Sequence, residues 1–178
     1  MRVDYSEDEG YPGEFALFQA NCTRSLKGKA GQAALRELEA ALLALPAPRL
    51  AGNVVAAHGD VCAVGAVLLA RKARELGGDL AAAQAALEAE CGDPEDQAFD
   101  ETTDRAEELG MPRLVAWKVV AKNDVEFPPG RSVRAEGPNL RPYRDEYYSA
   151  GAQVWIDATA EDRYAYVLRW VQRQLGKD

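Results

Sequence analysis

The sequence has few of the residues that build reactive or cross-linked sites. Its 178 residues include one histidine, His58, and three cysteines, Cys22, Cys62 and Cys91. An odd number of cysteines without a C-x-x-C pair is not a disulfide framework. Widely separated cysteines with one histidine also lack the ligand spacing of a zinc site. We therefore predict a chain without metal or disulfide, folded in a reducing compartment.

Motifs of the common enzyme classes are missing as well. The chain contains no G-x-S-x-G, H-E-x-x-H, Walker loop or G-x-G-x-x-G. The longest apolar run, Val61 to Ala70, is interrupted by Gly65 and is too short to cross a bilayer. The acidic start of the chain is unlike a signal peptide. These absences predict a non-enzymatic, cytoplasmic protein without a cofactor, while the many carboxylates leave acid–base catalysis as an open alternative.

Negative charge is concentrated in one block. The chain has a net charge of −8. The stretch from Glu88 to Glu108 contains ten acidic residues and only one basic residue, Arg105, so this block carries −9 and the rest of the chain +1. A uniformly basic surface for nucleic acid or membrane is thereby excluded. The block is either a solvated face or a surface that docks on a basic partner. The candidate docking residues are Glu95, Asp96, Asp100, Glu101, Asp104, Glu107 and Glu108.

Apolar periodicity predicts a mainly α fold of six or seven helices in one compact domain, with one small β-hairpin or sheet. The helices are expected near residues 14–26, 32–45, 66–76, 80–90, 103–109, 112–123 and 160–175. Residues 1–13 are expected to be flexible, and residues 14–178 to form the domain. In the second helix, four leucines recur every three or four residues: Leu35, Leu38, Leu42 and Leu45.

Local signals predict where several elements begin or turn. Asp79 is expected to cap the fourth helix, which turns Leu80, Ala83 and Leu87 inward. Asp93-Pro94 would start a further helical segment, and Thr102 or Thr103 would cap the fifth helix. Thr159 and Asp162 form a capping-box pattern. His58-Gly59-Asp60 predicts the turn of a hairpin with strands near 50–56 and 61–64.

The segment from residue 125 to 158 differs in composition from the rest of the chain. It contains four prolines, four arginines and three tyrosines, and only residues 153–156 suggest a strand. We predict a long polar insertion. The bases Arg131, Arg134, Arg141 and Arg144 alternate with aromatic rings, a pattern that suits stacking on single-stranded nucleic acid or a protein interface. Pairing of these arginines with the acidic block is the third reading.

A basic glycine loop predicts a second anion site. Gly28-Lys29-Ala30-Gly31 has the G-x-x-G pattern between two predicted helices, and a helix N-terminus with glycines can approach phosphate closely. Arg24, Lys27 and Lys29 would add attraction that depends on salt. A KH domain uses such a loop, but it also needs a strand before the first helix, and residues 1–13 supply none. An ordinary helix–helix turn is the alternative.

Residues 102–121 have features of a helix-turn-helix. The turn glycine, Gly110, lies between two predicted helices, and Arg113 and Lys118 would face a major groove. The second helix also carries Leu114 and Trp117, and the first is strongly acidic, which phosphates would repel. A helical hairpin within the core is the alternative.

Four stretches together resemble a group of small proteins carried by tailed-phage and prophage genomes. They cover a little over a third of the chain. They are RSLKGKAGQAALRELEAALLALP (Arg24 to Pro46), GDVCAVGAVLLARK (Gly59 to Lys72), AWKVVAKND (Ala116 to Asp124) and TAEDRYAYVLRWVQRQL (Thr159 to Leu175). The resemblance implies a phage accessory role in a bacterial host cell, and it carries over no catalytic residues to this sequence. It also implies that residues 125–158 are an insertion.

These observations give two hypotheses of function. The first is a non-enzymatic phage or prophage protein that binds a host protein or protein–nucleic-acid complex, such as a defence complex of the CRISPR type. The second is a nucleic-acid-binding protein that uses the G-x-x-G loop, the helix-turn-helix-like hairpin or the arginine–tyrosine segment.

Overall fold

A single residue separates the first two helices. A computed structural model describes residues 12–93, 99–128, 130–134 and 153–177. Helix α1 spans Pro12–Lys27 and α2 spans Lys29–Leu43. The amide of Gly28 closes α1 by donating to the carbonyls of Arg24 and Ser25, at 3.1 and 3.2 Å. Helix α2 therefore begins three residues before the predicted start, because one extended residue is enough to end one helix and begin the next.

A short hairpin follows α2, as predicted. Strand β1 (Ala56–Ala57) pairs antiparallel with β2 (Asp60–Val61). His58 and Gly59, with φ angles of 53° and 85°, form the two-residue turn that such hairpins favour. Both strands are shorter than predicted. Strand β2 ends at Val61 because the Cys62 thiol accepts a hydrogen bond from the Gly65 amide at 3.4 Å and caps helix α3, Ala63–Glu75.

Helix α4 spans Leu80–Cys91 and begins as predicted. The Asp79 carboxylate accepts a hydrogen bond from the Ala82 amide at 3.0 Å. Ala83 and Leu87 are buried, but the prediction for Leu80 was wrong, since 39% of this residue is exposed. Leu80 is the first residue of the helix and follows the exposed turn at Gly77-Gly78, which leaves it at the margin of the packed face.

Helices α5 (Phe99–Glu108) and α6 (Arg113–Asp124) form a hairpin around Gly110, whose φ is 79°. The predicted cap at Thr102 or Thr103 was wrong. The helix begins at Phe99, so both threonines lie inside it, where they are buried. The predicted start at Asp93-Pro94 extends outside the described residues.

The segment from residue 125 to 158 contains a second sheet. Strand β3 (Gly130–Arg134) pairs antiparallel with β4 (Gln153–Asp157), with Gly130 opposite Asp157. The predicted strand is β4, while β3 was missed. Helix α7, Ala160–Gln174, begins with the predicted capping box. The Thr159 amide donates to Asp162 at 2.9 Å, and the Asp162 amide donates to the Thr159 hydroxyl at 3.2 Å.

The core lies between α2, α3, α6 and α7. Helix α2 packs on α1, α3 and α7, and α6 packs on α1, α3, α5 and α7. Most of the core side chains are leucine and valine, including Leu35, Leu38, Leu42, Val64, Val67, Val115, Val119, Val167 and Val171. Seven helices and two small antiparallel sheets across the described ranges confirm the predicted mainly α class. None of these helices is both long and apolar enough to span a membrane.

Candidate functional site

An exposed acidic surface lies on helix α5. This helix buries Thr102, Thr103 and Ala106. Glu101, Asp104 and Glu108 are exposed on its opposite side. Their spacing of three and four residues corresponds to steps of about 4.5 and 6 Å along the helix axis. We call these three residues the acidic face. Within the described chain, no cation lies within ion-pair distance of their carboxylates.

Other acids of the block already have partners. Glu107 pairs with Arg113 at 3.0 Å, and Glu90 pairs with Lys72. Glu88 accepts hydrogen bonds from the Gln84 side chain at 2.8 Å and from the Gly59 amide at 2.7 Å. These two donors, with the Gln84 amide contributing most, lower the pKa of Glu88 below its ordinary value. The block is thus divided into acids that hold α4, α5 and the hairpin in place and acids that face solvent.

Several predicted site residues cannot be placed relative to this face. Glu95, Asp96, Arg141 and Arg144 lie outside the described residues, as does the side chain of Asp100. Arg131 and Arg134 belong to β3, but their side chains are not described. Pairing of the arginine segment with the acidic block therefore stays a prediction.

The glycines of the G-x-x-G loop have unequal roles. Gly28 is extended, with φ −68° and ψ 159°, a conformation open to any residue. Gly31 lies in the first turn of α2, where an added Cβ would stand 2.1 Å from the Ser25 carbonyl oxygen and 3.0 Å from that of Leu26. This glycine allows the close crossing of α1 and α2, which favours a structural turn. Lys27 and Lys29 are exposed beside it.

The helix-turn-helix-like segment is part of the core. Val115, Ala116, Val119 and Val120 of α6 are buried, and four helices pack around α6. The Arg113 guanidinium pairs with Glu107, and the Lys118 ammonium bonds Glu126 and Gln19. The two bases that would face a DNA groove are engaged within the chain, which favours the core hairpin.

Nucleophilic and metal-binding groups are dispersed. His58 is exposed in the hairpin turn, and burial raises the pKa of the Cys62 thiol to about 12. Burial also raises the pKa values of Cys22 and Cys91. In the described parts of the chain, no three His, Cys, Asp or Glu side chains are grouped as metal ligands would be.

A charged cluster at the end of α6 was not predicted from the sequence. The Glu126 carboxylate accepts hydrogen bonds from Lys118 and Lys122, and the Tyr166 hydroxyl donates to the Glu126 carbonyl at 3.0 Å. Burial raises the pKa of Glu126, but the two lysines more than offset it and leave the pKa below its ordinary value. The spacing of four residues from Lys118 to Lys122 and from Lys122 to Glu126 is the signal that could have revealed the cluster. It joins α6 to α7 and to the start of the segment from residue 125 to 158.

We expect Glu126→Gln to reduce the dependence of stability on pH below about pH 5. The folded pKa of Glu126 is lowered, so its contribution is complete above the unfolded value of about 4.3 and is lost as pH falls through the folded pKa. The variant should be less stable at pH 7 and lose less stability between pH 5 and pH 3. Urea unfolding across this range measures both. Glu75→Gln, at an exposed site, is the control, and an unchanged pH slope in Glu126→Gln would contradict the expectation.

Comparison of the chain with protein-family models, curated proteins and solved structures found no match.

Proposed function

We propose that this protein is a non-enzymatic binding protein whose acidic face docks on a basic surface of a host macromolecule. The observation that carries the proposal is the exposure of Glu101, Asp104 and Glu108 on one side of α5, with no cation of the described chain within ion-pair distance of their carboxylates. Carboxylates that stay solvated in the free protein can exchange water for the lysines and arginines of a partner, and their field speeds encounter.

The setting proposed for this binding is a bacterial cell that carries a phage or prophage. The sequence resemblance supports it. In that setting the partner is a host protein or protein–nucleic-acid complex, and a defence complex of the CRISPR type is one whose basic nucleic-acid channel would suit an acidic docking face.

Neutralising the acidic face is expected to abolish partner recovery. The variant combines Glu101→Gln, Asp104→Asn and Glu108→Gln, which remove charge from exposed sites and leave the core untouched. The wild type should recover a defined partner from bacterial lysate at low salt and less of it at moderate salt, because exposed charges are screened. The variant should recover little at either salt concentration.

A second variant separates local charge from net charge. Glu75→Gln, Asp157→Asn and Glu161→Gln also remove three exposed carboxylates, but they lie outside α5. This control should recover the partner as the wild type does. Equal loss in both variants would show that only net charge matters, and recovery of no specific partner by the wild type would contradict the proposal.

Nucleic-acid binding is the second candidate, and the exposure of Lys27 and Lys29 favours it. This function requires a complex with DNA or RNA at low salt, and the affinity of that complex should fall steeply as salt rises. The affinity should also fall when Lys27→Glu or Lys29→Glu is introduced. A gel shift with single- and double-stranded probes tests it, and the absence of any shift at low salt would rule it out.

A further inference from the structure

Two stretches of the acidic chain contain bases and no acids. Residues 15–36 and residues 163–177 have no aspartate or glutamate. Together they hold eight of the 21 lysines and arginines of the chain. These are Arg24, Lys27, Lys29, Arg36, Arg163, Arg169, Arg173 and Lys177. A chain whose net charge is −8 therefore has two stretches in which every charged side chain is positive.

The fold brings the ends of these two stretches together. The side-chain amide of Gln32 donates to the Leu26 carbonyl at 2.9 Å and to the Gln174 carbonyl at 3.1 Å. One nitrogen thus links the last turn of α1, the start of α2 and the end of α7. Five exposed bases lie on these turns or one turn away, and we call them the basic end: Arg24, Lys27, Lys29, Arg169 and Arg173.

The bases of the basic end are not neutralised by acids of the described chain. None of the five lies within ion-pair distance of a carboxylate there, and Arg24 donates to the Asn21 side chain at 3.1 Å. Glu39 of α2 is buried and is held by Lys177. Helices α1 and α7 end here, but a helix C-terminus carries only about half a negative charge. The surface is therefore strongly positive.

The composition of the basic end favours nucleic acid over an acidic protein. A protein interface has an apolar centre, whereas a nucleic-acid interface is more polar and much more positive. In the described ranges, no large apolar side chain is exposed on these turns. Those that are exposed elsewhere are Leu17, Leu43, Leu76, Leu80 and Val125. Guanidinium and ammonium groups without a carboxylate partner are suited to phosphate oxygens.

We propose that the basic end binds the phosphate backbone of DNA or RNA through side chains of α1, α2 and α7. The inference rests on the second candidate function and does not depend on the acidic face. It adds Arg169 and Arg173, which lie far from the G-x-x-G loop in sequence and reach it only in the folded chain. Phosphate contacts carry no base information, so binding should be independent of sequence.

Arg169→Gln combined with Arg173→Gln tests the contribution of α7. Fluorescence anisotropy of the full-length protein with short duplex DNA and single-stranded RNA measures affinity between about 50 and 200 mM salt. If all five bases contact phosphate, the logarithm of duplex affinity should fall against that of salt with a slope of about −4.5. The variant should bind roughly tenfold or more weakly at low salt, and its slope should be smaller by about 2. Unchanged affinity and slope would overturn the proposal.

Arg49→Gln combined with Arg74→Gln is the matched control. It removes the same charge from two exposed arginines outside the basic end, which lie beside Asp60 and Glu37. This variant should bind as the wild type does, and an equal loss in both double variants would overturn the proposal. A glutamate-rich peptide tests the preference for phosphate. Binding of this peptide as tightly as nucleic acid would also overturn it.

The same titrations separate this proposal from the functions proposed above. If Lys27→Glu weakens the complex and the α7 variant does not, nucleic-acid binding stands and the α7 contribution fails. If the wild type forms no complex with either probe at low salt, both fail. The neutralised acidic-face variant keeps all five bases and should bind at least as tightly as the wild type. Weaker binding by that variant would contradict a basic end that acts separately from the acidic face.

Discussion

Gly31→Ala should destabilise the protein by about 3 kcal/mol, because the new methyl group would meet backbone that cannot move aside cheaply. The added Cβ would lie 2.1 Å from the Ser25 carbonyl oxygen, and relief requires α1 and α2 to separate. The higher helix propensity of alanine offsets about 1 kcal/mol at most. Thermal unfolding should show a melting temperature lower by roughly 6–12 °C.

Gly28→Ala is the matched control for this change. A Cβ at Gly28 would lie 3.3 Å from the Ser25 carbonyl oxygen, and the backbone there is extended. We expect a loss below about 1 kcal/mol, the usual range for alanine in place of glycine at a helix N-cap. Equal destabilisation by the two substitutions would contradict the packing role of Gly31.

The same pair bears on the G-x-x-G hypothesis. A loop that holds phosphate through its backbone needs both glycines near the anion, so both variants would lose nucleic-acid affinity. A turn that only lets two helices cross needs Gly31 alone, and its loss would appear in stability. Measuring stability and gel shift on both variants distinguishes the two roles.

Local signals predicted the elements whose ends depend on neighbouring residues. The Thr159–Asp162 capping box, the Asp79 cap and the His58-Gly59 turn each act within a few residues, and the structure confirms all three. Three leucines of the repeat, Leu35, Leu38 and Leu42, predicted the buried side of α2 because one helix face must meet the core, whereas the fourth, Leu45, lies beyond the end of the helix and is half-buried.

Elements that depend on distant contacts were harder to predict. Strand β3 has one apolar residue, Val133, in its five, and it is paired with β4 across about twenty residues of intervening chain. The start of α5 was misplaced because Thr102 and Thr103 resemble caps, whereas tertiary packing buries both inside the helix. Gly31 showed no local sign that a second helix crosses it.

The sequence predicted where the acidic residues are concentrated, but not which of their carboxylates are exposed. Charge counting identified the acidic block, but sequence could not separate Glu107, which pairs with Arg113, from its neighbour Glu108, which is exposed. Adjacent helix positions differ by about 100° in direction, so the arrangement of the neighbouring helices decides which carboxylate stays free.

Leu38→Ala should cost about 3–4 kcal/mol, within the range for a fully buried leucine truncated to alanine. Leu38 is completely buried in α2, which packs on α1, α3 and α7. The loss has two parts, the removal of apolar surface from the core and the cavity that remains where rigid helices cannot close around it. Urea unfolding should show a lower midpoint with an unchanged slope.

Leu43→Ala makes the same chemical change five residues further along the same helix. Leu43 is 60% exposed, so the substitution removes little buried surface and should alter stability by less than about 0.5 kcal/mol. Because the two variants differ in burial and hardly at all in helix propensity, the difference between them isolates core packing. A similar cost at both positions would mean that α2 does not turn its predicted face, which carries Leu35, Leu38 and Leu42, toward the core.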